Sequence, residues 1–141
     1  MKDTLYILFV MAALVVAAFG CTRNNGAIGA WFGTWQITAI SLNGQPTDYP
    51  GNDTAKFQND IIETDEQHPG HTLYPYWATW RLEGSTLTIN TRGDRSVAPQ
   101  LHLPQDAVST LELTRAPGRK MQWRYTDAAG DVYVYDLQKL Y

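Results

Sequence analysis

The sequence predicts an all-β fold, a small antiparallel up-and-down β-barrel of roughly seven to eight strands, and three observations carry that prediction. From Trp31 onward apolar residues recur at every second position in short runs, the period of a strand with one buried face. Gly, Pro, Asn and Asp separate those runs at hairpin spacing, so successive strands pair antiparallel. No stretch after the first twenty residues keeps a helical period over eleven positions. Closing such a meander removes its exposed edges, and about eight strands enclose an interior that is either filled by side chains or wide enough for one small ligand.

The elements follow in chain order. Gly33-Thr34-Trp35 opens the first strand, with Trp35, Ile37 and Ala39 on one face and Gln36, Thr38, Ile40 and Leu42 on the other. Asn43-Gly44 supplies a turn, and Pro46, Pro50 and Gly51 keep the next stretch irregular. A second strand is expected from Ala55 to Thr64, with Phe57, Asn59 and Ile61 on its inner side, and residues 65–71 read as a solvated acidic loop. The aromatic run from Tyr74 to Trp80 alternates so that Tyr76, Ala78 and Trp80 oppose Trp77 and Thr79. Glu83-Gly84-Ser85 then turns the chain into Thr86–Thr91, which places Leu87 and Ile89 inward. The pattern lapses over residues 92–107, where Leu101-His102-Leu103 reads as a brief edge strand and Pro104 to Val108 as a short helical turn. It resumes in three strands, 109–114, 120–126 and 132–140, whose inward residues are Leu111 and Leu113, then Met121, Trp123 and Tyr125, then Tyr133, Tyr135 and Leu137.

Residues 1–20 are a different kind of sequence. Lys2 precedes an uncharged run from Leu5 to Phe19, fifteen residues that suit the hydrophobic region of an export signal and fall short of the roughly 20 needed to span a bilayer. The single cysteine follows in Ala18-Phe19-Gly20-Cys21, which resembles the lipobox of bacterial lipoproteins and implies a lipid on Cys21; plain secretion with cleavage near Gly20 is the alternative. Residues 21–30 are small and polar, a flexible tether, and residues 31–141 form the folded domain. These features place the chain in a cell envelope, lipid-anchored, with the outer membrane favoured by Thr22 in place of the Asp that retains enteric lipoproteins at the inner membrane.

Charge and motifs exclude several classes. The net charge is −3 with no basic stripe, so nucleic acid is not an expected partner. His68 and His71 lie among carboxylates at a spacing that matches no metal motif, and neither a metal nor another cofactor is expected. No Gly-x-Ser-x-Gly, phosphate-binding Gly loop or His-Glu-x-x-His occurs, so the expectation is a non-catalytic protein.

Gly33-Thr34-Trp35 with Asn43-Gly44, the strand Lys56-Phe57-Gln58-Asn59-Asp60, the hairpin Gly84 to Ile89, Leu111-Glu112-Leu113-Thr114 and the closing Val134 to Leu140 together resemble the lipocalin-like domains of Bacteroidetes lipoproteins. The resemblance implies a calycin-type barrel closed at one end by Gly33 and Trp35, with Lys139 or Arg124 as the basic residue over that indole. It leaves two functions open. In one, the barrel holds a small apolar or amphipathic molecule against Phe57, Asn59, Ile61, Trp80, Leu87 and Ile89 from its first half and Leu111, Leu113, Met121, Trp123, Tyr125, Tyr133 and Tyr135 from its second. In the other, those rings fill the barrel, and it docks an envelope protein or glycan through Tyr74, Tyr76 and Trp77.

Overall fold

A computed structural model describes residues 33–68, 70, 72–116 and 119–140. The expected export segment and tether, with Cys21, and Trp31, Phe32 and His71 lie outside the described residues. Among the described residues nine strands are formed: β1 (Gly33–Leu42), β2 (Gln45–Pro46), β3 (Thr54–Gln58), β4 (Ile61–His68), β5 (Thr72–Glu83), β6 (Thr86–Asn90), β7 (Val108–Ala116), β8 (Lys120–Thr126) and β9 (Val132–Lys139). The two-residue β2 folds back on β1, while the other eight pair in sequence order and close through β1 on β9. The result is an antiparallel eight-stranded barrel with an up-and-down meander, as the alternation predicts.

The turn chemistry acts where the sequence places it. Asn43 and Gly44 both take positive φ, 51° and 80°, the geometry a two-residue hairpin turn requires. Gly51 also has positive φ, and a Cβ there would lie 2.7 Å from the Thr38 carbonyl oxygen, so this position needs glycine for close approach as well as for conformation.

Two strands depart from the predicted alternation for local reasons. Between Ile37 and Ala39 the β1–β9 register shifts. This bulge moves the inward set from Trp35 and Ile37 to Ile40, leaving Ala39 exposed. The expected strand 55–64 is instead a hairpin. Asn59 takes φ 44°, which its short polar side chain tolerates, and the turn pairs Phe57 with Ile62 and Gln58 with Ile61. Cross-strand partners share a face, so Ile62 is buried and Ile61 lies outside, 38% exposed. The expected acidic loop is the second half of β4, which stays paired with β5 through His68.

One core fills the barrel. Trp35, Phe57, Ile62, Trp80, Leu87, Ile89, Leu111, Trp123 and Tyr135 are among its most deeply buried side chains. At the end where β1 begins, Trp35 pairs with Lys139 of β9, whose ammonium lies 5.7 Å from the indole centroid. Burial, with the charges of Arg119 and Arg115, holds the Lys139 ammonium below its ordinary pKa. Of the two basic residues implied for this contact, Lys139 makes it.

The β3–β4 and β5–β6 turns share that closed end, and the long connections 43–53, 91–107 and 127–131 gather at the other, the mouth. The irregular segment 91–107 neither opens the wall nor adds an edge strand. Pro99–Leu101 forms a 3-10 turn capped by His102 in the left-handed region, and Val97, Ala98, Leu101 and Leu103 enter the core. Hydrogen bonds hold this plug to the barrel, among them the Ala98 N–H to Thr64 Oγ1 at 2.8 Å, the Ser96 N–H to the Trp77 carbonyl at 2.8 Å, and the Tyr135 hydroxyl to the Leu101 carbonyl.

Candidate functional site at the barrel mouth

Of the residues expected to line a cavity, Phe57, Trp80, Leu87, Ile89, Leu111, Leu113, Met121, Trp123, Tyr125 and Tyr135 are buried inside the barrel. The rings meet each other: Phe57 stands edge-on to Trp80 at 4.9 Å and to Trp123 at 6.0 Å, and Trp123 tilts against Tyr135 at 6.0 Å. Such T-shaped contacts are the favoured packing of aromatic quadrupoles. Tyr133 is half-buried nearer the mouth, stacked between Tyr125 and His102. Asn59 and Ile61 lie in and beside the β3–β4 turn on the outside, so neither lines the interior.

Beyond this packed layer the inward side chains turn polar. Along β4 the face that carries Ile62 continues through Thr64 and Glu66, and the residue preceding β3 on the inward face is Asp53. Glu66 is held by three neighbours: Gln100 Nε2 donates to Oε1 at 2.7 Å, the Tyr76 hydroxyl to Oε2 at 3.4 Å, and His68 Nε2 lies 3.2 Å from Oε1. Asp53 is 0% exposed, with the Tyr49 hydroxyl and the Gln67 backbone amide beside its carboxylate. Its backbone N–H donates to the Tyr49 hydroxyl at 3.0 Å, which in turn donates to the Ile37 carbonyl at 3.3 Å.

Burial pushes the Asp53 carboxyl up to about 6; hydrogen bonding from the Tyr49 hydroxyl and the Gln67 backbone opposes this, and the Glu66 charge adds to it. Burial, then the Asp53 charge, raises Tyr49 well above the ordinary phenol value. Outside this cluster, between the 47–50 segment and the plug, lies a cleft of about 430 Å³ lined by Thr47, Asp48, Tyr49, Pro50, Pro99, Gln100 and His102. Sequence reasoning missed Tyr49, Asp53, Glu66 and Gln100. The one signal available was the period-two continuation of Ile62 into Thr64 and Glu66.

The expected docking trio is divided between faces. Tyr74 and Tyr76 belong to the inward face of β5 at the mouth, where Tyr74 packs edge-on to His68 at 4.5 Å. Trp77 is 48% exposed on the outer wall, as is Leu73 at 55%. Beside it the Lys56 ammonium reaches both Glu63 and Asp65. Burial works against that ammonium, but the bonds from Asp65 and Glu63 outweigh it and raise its pKa.

A meander barrel with a Gly-x-Trp opening strand, a basic residue over the indole and loops gathered at the opposite mouth defines the lipocalin-like class. The family profile of the Lipocalin-like domain matches residues 32–102, and the chain belongs to that family. Its fold is shared by a lipocalin-like protein from Bacteroides uniformis, 11% identical, with a TM-score of 0.59 over 79% of this chain and 100% of that one. It is likewise shared by an uncharacterized protein from Bacteroides eggerthii, 16% identical, with a TM-score of 0.55 over 75% of this chain and 98% of that one. No curated protein matches the sequence.

Proposed function

We propose that this chain is a lipid-anchored, non-catalytic binding protein of the cell envelope whose recognition site is the barrel mouth, not the barrel centre. The observation that carries this reading is the filled interior. Where a ligand would lie, the rings of Phe57, Trp80, Trp123 and Tyr135 touch one another and the plug residues Val97 and Leu101 complete the packing. Admitting a molecule there means displacing buried side chains at a cost of about 1–3 kcal/mol for each overpacked contact. The mouth cleft is already open, and its lining joins prolyl and aromatic surface to polar groups, the mixture that small-molecule sites use.

The test is native mass spectrometry of protein purified from its own host, in parent form and as Gln100→Trp, which fills the cleft. A co-purifying small molecule lost from the variant supports the mouth. A molecule retained by Gln100→Trp and lost from Leu111→Trp places binding in the barrel centre and refutes it. The anchor is tested separately by fatty-acid labelling of the parent and of Cys21→Ala.

A further inference from the structure

We propose that the closed end of the barrel docks on the anionic head groups of the bilayer through a basic rim formed by Arg115, Arg119, Lys120 and Lys139. This goes beyond the mouth reading, and it takes from the proposed anchor only which end of the barrel the membrane meets. The starting point is an uneven distribution of charge in a chain whose net charge is −3. The β7–β8 hairpin continues beyond its last ladder pairing with β6, Thr86 with Glu112, and carries Arg115, Arg119 and Lys120 to the closed end. β9 brings Lys139 to the same place: its N–H donates to the Arg119 carbonyl at 2.9 Å, and the neighbouring Gln138 pairs with Lys120. Arg115, Arg119 and Lys120 are exposed and Lys139 is half-buried. Burial first, and then the charges of Arg119 and Arg115, disfavour the Lys139 ammonium, so the four cations act on one another as a group.

Like charges gathered at one end repel, and a negatively charged surface relieves that repulsion. Among the described residues the carboxylates of the closed end are Asp60, Glu83 and Glu112. Glu83 is bonded to Arg81 at 2.9 Å, Glu112 stands opposite Arg124 in the β7–β8 ladder, and Asp60 lies in the β3–β4 turn, on the other side of β1 from the rim. The mouth has the opposite sign: its connections carry Asp48, Asp53, Asp94, Asp106, Asp127 and Asp131 against Arg92 and Arg95. An anionic surface therefore attracts one end of the barrel and repels the other, which orients the molecule as well as binding it. The chain that precedes the barrel leads to the same end. Trp35 of β1 pairs with Lys139, the Leu140 N–H donates to the Thr34 carbonyl, and between Cys21 and Gly33 the single charged residue is Arg23. Exposed Leu140 and Ile61 also sit at this end, apolar side chains that suit the head-group boundary beside long cationic ones. Each Lys or Arg brought within a screening length of an anionic leaflet strengthens binding roughly fivefold.

The experiment places the lipidated full chain on two kinds of vesicle, neutral phosphatidylcholine alone and the same lipid with a quarter of anionic phosphatidylglycerol, and follows a single-cysteine label at exposed Ser85. A quencher confined to the bilayer is expected to dim that label about twofold or more strongly on the anionic vesicles. Raising the salt from about 0.1 M to about 1 M, which shortens the screening length from about 10 Å to about 3 Å, is expected to abolish the difference. Arg115→Gln, Arg119→Gln and Lys120→Gln combined, all at exposed positions, are expected to abolish it too while keeping the folded spectrum; Lys139 is left in place because it packs on Trp35. The salt comparison on the parent decides without any variant. Equal quenching on both vesicles overturns the docking, and a difference that persists in the triple variant overturns the assignment of the rim; in either case sedimentation with neutral vesicles shows whether the anchor stands. If the parent does not sediment with neutral vesicles the anchor reading fails, and the rim is judged by sedimentation with the anionic ones: binding that the triple variant loses supports it, and no binding overturns it.

Discussion

Asp53 carries a cost at neutral pH that the rest of the fold must outweigh. Its folded carboxyl titrates near 6 against an ordinary value of 3.8, so between those values the native state holds a proton that the unfolded chain has released. Stability therefore falls as pH rises through that window and levels off above it. Asp53→Asn is expected to flatten the fall, giving a protein more stable than the parent at pH 7.5 and little changed at pH 4; denaturant melts across that range check it. Trp35 is the opposite case, a residue whose role the sequence makes plain. It is 2% exposed, wedged in the core under Lys139, and Trp35→Ala is expected to cost roughly 3–5 kcal/mol as a large core truncation, read from a urea melt at fixed pH. The contrast explains what was legible residue by residue. An indole after Gly-x can be read from its own neighbours, whereas a carboxylate's surroundings are decided by Tyr49 and by Glu66 and Gln67 of another strand.

At the scale of elements, period-two runs with strong turn residues at both ends emerged where expected: Thr86–Asn90, Lys120–Thr126 and Val132–Lys139. The errors lie where one residue resets the count. The bulge beside Thr38 exchanges Ala39 for Ile40, and a turn at Asn59-Asp60 exchanges Ile61 for Ile62. The chemistry of β4 also conceals it, because Glu63, Asp65 and Glu66 look solvated until Lys56, Tyr76 and Gln100 are brought to them from other elements. The plug is least legible, since its order comes from contacts distant in sequence. The bond from the Ala98 N–H to Thr64 Oγ1 joins positions 34 residues apart. Thr64→Val keeps the shape and leaves that buried N–H unmet, a loss of about 1–3 kcal/mol. Hydrogen exchange is expected to show the Ala98 amide losing protection by more than the amides of β8, because the plug loosens before the ring opens.

For the whole molecule, closure through β1 and β9 fixes which way the mouth faces relative to any tether. Gly33 begins β1 at the closed end, beside the turns at residues 59–60 and 84–85, and the mouth connections lie at the far end of the same strands. Under the proposed anchor, residues 21–32 join the lipid to the closed end and reach at most about 40 Å when extended. The mouth is then the end of the barrel farther from the point of attachment, and the expected orientation has it facing away from the bilayer. Two single-cysteine labels report this on vesicles carrying the lipidated chain, one at Ser85 beside the closed end and one at Gln105 in the mouth connection, both exposed. A quencher confined to the bilayer is expected to dim the Ser85 label more strongly than the Gln105 label. Cys21→Ala removes the lipid attachment, so both labels are expected to escape quenching as the protein leaves the vesicles. Equal quenching in the anchored protein would mean that the barrel lies on its side, with the exposed Leu73 and Trp77 of the outer wall as its contact with lipid.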